Sequence, residues 1–265
     1  MNSCKDVPVG RLNKLQNKVT QCKKCPRLVK YLSSIRKKYP SYWCKPVPSF
    51  GDPNAQILIV GLAPGRFGSN RTGRMFTGDA SGEFLYKTLH EVGLCNKPVG
   101  ADFPAKGGSA AGGKPAQVHA NDGLKLKNCY ITAVGRCAPP QNKPIPKELA
   151  NCFPYFEEEI KLLKNVRVVI ALGRIAFDGY LKWLFKSVGA TFTVAPNNRA
   201  DARPALTKRD FVFFHSATYK SRFLPHILIA SYHPSRQNTQ TGRLTKSIFL
   251  GVFKKAIQYC SVCNS

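Results

Sequence analysis

The chain has 265 residues, of which 43% are hydrophobic, so it can form a globular core and is not disordered throughout. Its 41 lysines and arginines outnumber its 14 acidic residues, and the net charge of +27 indicates a polyanionic partner, with nucleic acid the first candidate and an anionic membrane surface the second. No stretch approaches the roughly 18 apolar residues of a membrane span, and residues 1–20 lack the apolar centre of a signal sequence. We therefore expect no membrane insertion and an intracellular location, in the cytoplasm, nucleoid or nucleus.

Residues 1–50 predict a helical extension ahead of the main domain. Apolar residues recur at helical spacing between positions 12 and 19, and a basic helix is expected over about 28–38. The tight pair Cys22 and Cys25 lies between these two segments.

A strand is predicted at 56–60, and its apolar run 57–60 breaks into Gly61-Leu-Ala-Pro-Gly65, which is typical of a buried parallel strand that ends in a loop. Open α/β sheets bind ligands at the carboxyl ends of their strands, so this loop is the first candidate site. It continues to Gly82 with further glycines and with arginines, whose N–H groups could converge on an anion. The glycine spacing fits neither a P-loop nor a dinucleotide fingerprint. A helix over about 81–92 should follow, with Ser81 as a possible cap.

Three further strands are predicted, and helices separate them. The strands are expected at 129–134, 166–172 and 227–230, and the helices at 146–163, from Gly173 onward and at 245–259. Residues 97–127 and 190–225 are interpreted as insertions. The first is rich in Gly, Ala and Lys and cannot form a core, and the second could hold short strands at 191–194 and 211–214.

This alternation predicts one domain over residues 1–265, an α/β fold. We expect a three-layer α/β/α sandwich around a central four-stranded parallel sheet, with the N-terminal helical extension attached. The carboxyl edge of that sheet would gather the glycine loop, Asn142 after the second strand and His233 after the fourth.

Four motifs in this order resemble the fifth, type b, family of the uracil-DNA glycosylase superfamily: Gly61-Leu-Ala-Pro-Gly65, Asn70-Arg-Thr-Gly-Arg74, Phe76-Thr-Gly-Asp-Ala-Ser-Gly82, and Ser231-Tyr-His-Pro-Ser235 followed by Asn238-Thr. The resemblance implies a monofunctional DNA glycosylase, a hydrolase that initiates base excision repair of DNA damage. It would flip uracil, and other deaminated or damaged bases such as hypoxanthine or ethenocytosine, out of DNA and hydrolyse the N-glycosidic bond.

We expect this enzyme to act as a monomer on double-stranded DNA, with single-stranded DNA as a second form of substrate. The alternative is a non-enzymatic iron–sulfur module that binds nucleic acid, in which the glycine loop performs no chemistry. Excision from a duplex that contains one uracil separates the two hypotheses.

Four cysteines in two segments could supply thiolates to one site: Cys22, Cys25, Cys137 and Cys152. Such a set suits either zinc or an iron–sulfur cluster, and the wide second spacing fits zinc ribbons poorly. The resemblance implies a 4Fe–4S cluster on these metal-binding residues. The terminal pair Cys260 and Cys263 is an alternative source of two ligands.

Base binding has several candidate residues. Phe76 could stack on a flipped base or simply pack under the loop. Asn142 could present a donor and an acceptor to a pyrimidine edge, or it could be a turn residue. Gly61, Ala63 and Gly65 would line the base-binding loop.

The candidate catalytic residues are His233 and Asp79. His233 could donate a hydrogen bond to the oxygen on which negative charge develops as the base departs. Other branches of the superfamily have Asp or Asn where this chain has Ala63, so Asp79 is the available general base for water. Asp79 could equally cap the helix that begins near Ser81. DNA-binding residues are predicted in the glycine loop and after His233: Arg66, Arg71, Arg74, Arg236, Asn238 and Arg243.

Overall fold

The computed structural model describes residues 9–98, 122–188, 207–222 and 224–262. The strand expected at 191–194, most of the first insertion and Cys263 lie outside these ranges. None of the helices within them is long and apolar enough to cross a membrane.

Helices and strands alternate along most of the chain. The helices are α1 Val9–Thr20, α2 Pro26–Lys38, α3 Ser69–Thr72, α4 Ala80–Glu91, α5 Pro146–Leu162, α6 Arg174–Ser187, α7 Arg236–Gln240 and α8 Lys246–Val262. The strands are β1 Phe50–Gly51, β2 Ile57–Gly61, β3 Cys129–Ala133, β4 Val168–Leu172, β5 Thr218–Tyr219 and β6 Ile227–Ser231.

The sheet has the strand order β1-β3-β2-β4-β6-β5. Its four central strands are parallel, as predicted, and Ile57 of β2 pairs with Cys129 of β3 and with Val168 of β4. The sheet extends beyond these four strands at its two edges, where the short strands β1 and β5 pair antiparallel with their neighbours. Each edge strand has only two residues, too few to produce an alternating pattern.

Alternate residues of the central strands face opposite sides of the sheet, and helices cover both sides. Ile57 and Ile59 of β2 belong to the core under α4 and α8, whereas Leu58 and Val60 belong to the core under α5 and α6. All four side chains are fully buried, and burial of each stabilises the fold by about 1.5–3 kcal/mol. The result is the expected three-layer α/β/α arrangement.

The strand predicted at 211–214 does not form. The rings of this segment pack onto α6 instead, with Phe213 at 5.5 Å from Phe177 and Phe211 at 5.7 Å from Phe185, measured between ring centroids. The edge strand β5 comes a few residues later and pairs with β6. Aromatic packing therefore replaces strand pairing at the position where the sequence pattern suggested a strand.

Candidate active site

A cavity lies at the carboxyl edge of the sheet, where β2, β3 and β6 end. This edge cavity has a volume of about 240 Å³, below the roughly 300–1,000 Å³ of pockets for drug-sized ligands, so it suits a small planar system of one or two rings. All seven residues predicted for base binding or catalysis line it: Gly61, Ala63, Gly65, Phe76, Asp79, Asn142 and His233. The parallel strands thus bring together residues that are far apart in the sequence.

Phe76 forms part of the wall of the edge cavity. Its backbone has φ of 53°, and its N–H donates a 2.9 Å hydrogen bond to the buried hydroxyl of Ser69. Gly82 of α4 passes so close that a Cβ there would lie 1.7 Å from the Phe76 carbonyl oxygen. Hydrogen bonding and close packing therefore fix the backbone of Phe76 in an uncommon conformation, and its ring is 9% exposed beside the cavity.

His233 follows β6, and its ring lies 5.8 Å from that of Phe76, between centroids. The side-chain amide of Asn238 and the backbone N–H of Ser235 both donate to the His233 carbonyl at 2.8 Å, which holds the loop in place. Burial lowers the pKa of His233 to about 4. The imidazole is therefore neutral near pH 7 and can donate one hydrogen bond without carrying a charge. Asn238, which we predicted to bind DNA, supports this loop with its amide.

Asp79 caps α4, which confirms one of its two predicted roles and corrects the assignment of the cap to Ser81. Its Oδ1 accepts a 2.9 Å hydrogen bond from the backbone N–H of Gly82. Its Oδ2 faces the glycine loop so closely that a Cβ at Gly68 would lie 1.9 Å away. Burial raises the pKa of Asp79, while the Gly82 and Ser81 N–H groups and the charges of Arg71 and Arg236 oppose that rise. The role as general base stays a prediction.

Asn142 ends a short 3₁₀ turn, Pro140–Asn142, beside the edge cavity. Its φ is 57° and that of Gln141 is 54°, in the left-handed region that Asn tolerates better than most residues. The turn role of Asn142 is confirmed, and its position on the cavity leaves the base-edge role as a prediction.

The sequence analysis missed several lining residues, among them Ser69 and Ser235. Ser235 caps α7, with its hydroxyl accepting from the Asn238 N–H at 3.4 Å, and a Ser ahead of a short polar helix is a recognisable capping signal. Ser69 gives no such signal, because its partner Phe76 is seven residues away in an irregular loop.

The predicted DNA-binding arginines have different positions. Arg66 and Arg236 line a groove next to the edge cavity, and Arg243 lies with its guanidinium carbon 4.2 Å from the centroid of the Tyr232 ring. Arg71 donates a 2.7 Å hydrogen bond to the Gly78 carbonyl and so supports the glycine loop.

The position of Arg74 argues against its predicted role as a phosphate contact. Its side chain is buried, and its guanidinium donates to both carboxylate oxygens of Asp122 at 2.9 and 2.6 Å and to Thr77 at 3.1 Å. The pair holds the glycine loop against the segment that precedes β3. The sequence showed a cation in a loop but not that a carboxylate 48 positions later would neutralise it.

The four predicted metal ligands line one small cavity, here called the cysteine cavity: Cys22, Cys25, Cys137 and Cys152. Burial raises the pKa of the Cys137 thiol, and the other three thiols add to that rise. Across the described ranges, no three His, Cys, Asp or Glu side chains lie close enough together to hold one metal ion. Cys22, Cys25, Cys137 and Cys152 are all free thiols. Cys260 packs in the core under α8 and does not line the cysteine cavity.

Two ion pairs support the cysteine cavity. Arg27 of α2 donates to both oxygens of Glu148 at 2.8 Å, which ties the helix that starts after Cys25 to the helix that carries Cys152. Arg136, next to Cys137, pairs with Glu159 at 2.5 Å, and both side chains are almost completely buried. These contacts join α2 and the loop after β3 to α5.

The fold and the edge cavity define a class: an α/β/α protein with a cavity of a size for a small planar ligand at the carboxyl edge of a parallel sheet, beside a groove that contains cations. The sequence profile of the Uracil DNA glycosylase superfamily matches residues 48–257. The chain belongs to the uracil-DNA glycosylase superfamily, and it is a DNA glycosylase, a hydrolase.

Individual relatives match along most of the chain. A type-5 uracil-DNA glycosylase of Thermus thermophilus is 46% identical, and the match covers 90% of this chain and 93% of that protein. A type-5 uracil-DNA glycosylase of Pyrobaculum aerophilum is 36% identical over 94% of each chain. A type-4 uracil-DNA glycosylase of Sulfurisphaera tokodaii is 26% identical over 84% of this chain and 74% of its own length.

Proposed function

We propose that this chain excises uracil from DNA by hydrolysing the bond between the base and its deoxyribose, which leaves an abasic site and begins base excision repair. The observation that supports this most directly is the meeting of Phe76, Asp79, Asn142 and His233 around one cavity of base size. The names of the type-5 relatives support uracil as the base.

The edge cavity would hold the flipped base by one face and one edge. The ring of Phe76 lies at the wall, where it can stack on a pyrimidine, and stacking contacts of this kind contribute about 1–3 kcal/mol per base. The amide of Asn142 offers both a donor and an acceptor, which matches the paired acceptor and donor on the uracil edge.

His233 would stabilise the departing base. Negative charge develops on a carbonyl oxygen of the base as the glycosidic bond breaks, and a fixed donor in a site that excludes water stabilises that charge. The low pKa of His233 makes the neutral imidazole the donor near pH 7. Proton transfer from an imidazolium is therefore not required for the base to leave.

Asp79 would orient or deprotonate the attacking water. One carboxylate oxygen is occupied by the helix cap, and the residue lines both the edge cavity and the groove beside it. Burial raises the pKa of Asp79, which suits a group that must take up a proton, and the charges of Arg71 and Arg236 oppose that rise and favour the ionised form.

The range of bases would extend beyond uracil to hypoxanthine or ethenocytosine. Ala63 and Met75 give the edge cavity small and flexible apolar walls, which place few hydrogen-bond demands on the base that enters. Duplexes with each base in the same position would rank these substrates.

The cysteine cavity would hold a 4Fe–4S cluster. Four thiols around a small cavity fit a cluster, since each of its four irons takes its own thiolate. When bound, the cluster would act as a structural cross-link between α2, the loop after β3 and α5. We further propose that the chain acts as a single-domain monomer on double-stranded DNA.

The test of the proposed function is an excision assay. A labelled duplex with one uracil is incubated with the protein, and abasic sites are then cleaved with hot alkali. We expect a product cut at the uracil and no cleavage of the matched duplex with thymine. Binding of both duplexes without cleavage of either would contradict the proposal and favour a non-enzymatic nucleic-acid-binding module.

A further inference from the structure

A groove beside the edge cavity contains two side chains, Arg66 and Phe67, to which the excision chemistry gives no role. This outer groove has a volume of about 700 Å³ and shares Gly65, Asp79, Ser81 and Asn142 with the edge cavity, so the two are continuous. Its remaining walls include Tyr31, Arg66, Phe67, Pro140, Gln141 and Arg236. A nucleic-acid strand that delivers a base to the edge cavity would pass through this groove.

Phe67 is 52% exposed at the tip of the glycine loop, although a large apolar side chain is usually buried. The guanidinium carbon of Arg66 lies 4.7 Å from the centroid of its ring. Tyr39 meets the ring edge-on at 6.1 Å and itself stacks on Tyr42 at 4.6 Å. Phe67 therefore lines the outer groove as the outer member of a series of three packed rings.

Arg66 adds a cation to the same place. Its side chain lines the outer groove, and a guanidinium pairs well with a phosphate oxygen. The net charge of +27 matches a polyanion as the occupant.

We propose that the outer groove binds single-stranded DNA next to the excised nucleotide, with Phe67 stacking on an unpaired base and Arg66 contacting a phosphate. Single-strand binding sites combine a cationic groove with aromatic rings in this way, because an unpaired base exposes the face that pairing and stacking in a duplex hide. This proposal rests on the proposed function only in that the edge cavity receives the flipped base.

The test measures binding to DNA that contains no uracil. Fluorescence anisotropy of a labelled thymine-only strand of about 12 nucleotides is compared for the parent, Phe67→Ala, Phe67→Leu and Phe67→Trp. We expect Ala and Leu to weaken single-strand binding by roughly 5- to 150-fold, the scale of one stacking contact, and Trp to retain it. The loss on the paired duplex should be much smaller. Phe214→Ala is the matched control, since Phe214 is 55% exposed and lies outside the outer groove.

Three results would overturn the proposal: unchanged single-strand binding by Phe67→Ala and Phe67→Leu, an equal loss on single strand and duplex, or a comparable loss in Phe67→Trp. Thermal melting of the variants shows whether the fold is intact, and Phe67→Leu keeps the apolar volume if Phe67→Ala melts early. Because the strand contains no uracil, a failure of excision would leave this result unaffected, and the two proposals can fail separately.

Discussion

Gly61 and Phe76 are in contact at the wall of the edge cavity, and the Phe76 ring occupies the space that a side chain at position 61 would need. A Cβ on Gly61 would lie 2.8 Å from Cε2 of Phe76. Real side chains do not approach this closely, so the end of β2 must be glycine for the ring to keep its place. The absence of a side chain at Gly61 thus allows the Phe76 ring to pack against the end of β2.

Gly61→Ala should therefore displace the Phe76 ring and weaken the flipped-base complex. We expect Gly61→Ala and Phe76→Ala each to reduce binding of uracil-containing DNA by an amount typical of one stacking contact, about 1–3 kcal/mol. The double variant should lose little more than the larger single loss, because both changes remove the same contact. Fully additive losses in this double-mutant cycle would contradict the coupling.

Asp79→Asn separates the two roles of Asp79. Asn caps helices about as well as Asp, so the melting temperature should change little, whereas a general base would be lost and single-turnover excision should fall by about 10²-fold or more. Asp79→Ala should show the same loss of rate together with about 1 kcal/mol less stability. If Asp79→Asn excises uracil at the parent rate, Asp79 is a cap and not a base.

The cysteine cavity predicts a coloured protein. Thiolate-to-iron charge transfer absorbs visible light, so the purified chain should be brown, and Cys137→Ser should bleach and destabilise it. Cys260→Ser is the matched control, since Cys260 is buried away from the cysteine cavity and should leave the absorption unchanged. Colourless protein with stoichiometric zinc would rule out the cluster. Loss of colour in Cys260→Ser would indicate instead that Cys260 supplies a ligand.

The Arg136–Glu159 pair predicts a large effect on stability. Both partners are buried, and Glu159 also accepts hydrogen bonds from Thr132 and Tyr130. Arg136→Met would leave the carboxylate buried without its cation, which costs about 3–5 kcal/mol of unfolding free energy. Lys87→Met is the comparison, because its pair with Glu83 is exposed and contributes at most about 1 kcal/mol. Chemical denaturation gives the loss in unfolding free energy for each variant. Equal losses in Arg136→Met and Lys87→Met would show that burial of the pair is unimportant.

The sequence predicted the central sheet well, because β2 and β4 are apolar runs that end in glycine. It also placed Asn142 and His233 at the sheet edge, since parallel strands end on one side. It could not give β1 and β5, because two residues are too few to produce an alternating pattern. The Arg74–Asp122 pair was hidden because its partners are 48 positions apart. The choice between Asp79 and Ser81 as cap required the actual path of the loop.

His233 performs the central step of the proposed chemistry as a neutral donor. With its pKa lowered to about 4, the His233 ring stays neutral from about pH 5 to pH 8, so its contribution to the excision rate should be constant over that range. A change in this contribution centred near pH 6.5, the ordinary pKa of His, would contradict the assignment. His233→Gln, which keeps an uncharged donor, should recover part of the rate that His233→Ala loses.

The most direct test is single-turnover excision of uracil by the parent and by His233→Ala at pH 7, alongside binding of each to abasic DNA. We expect the rate to fall by about 10²-fold or more, the scale of one lost preorganised donor, while binding of the abasic product stays nearly unchanged. Excision at the parent rate by His233→Ala would contradict the role of His233 as the donor that stabilises the departing base. Charge stabilisation would then be assigned to the backbone N–H groups of the Gly61–Gly65 loop.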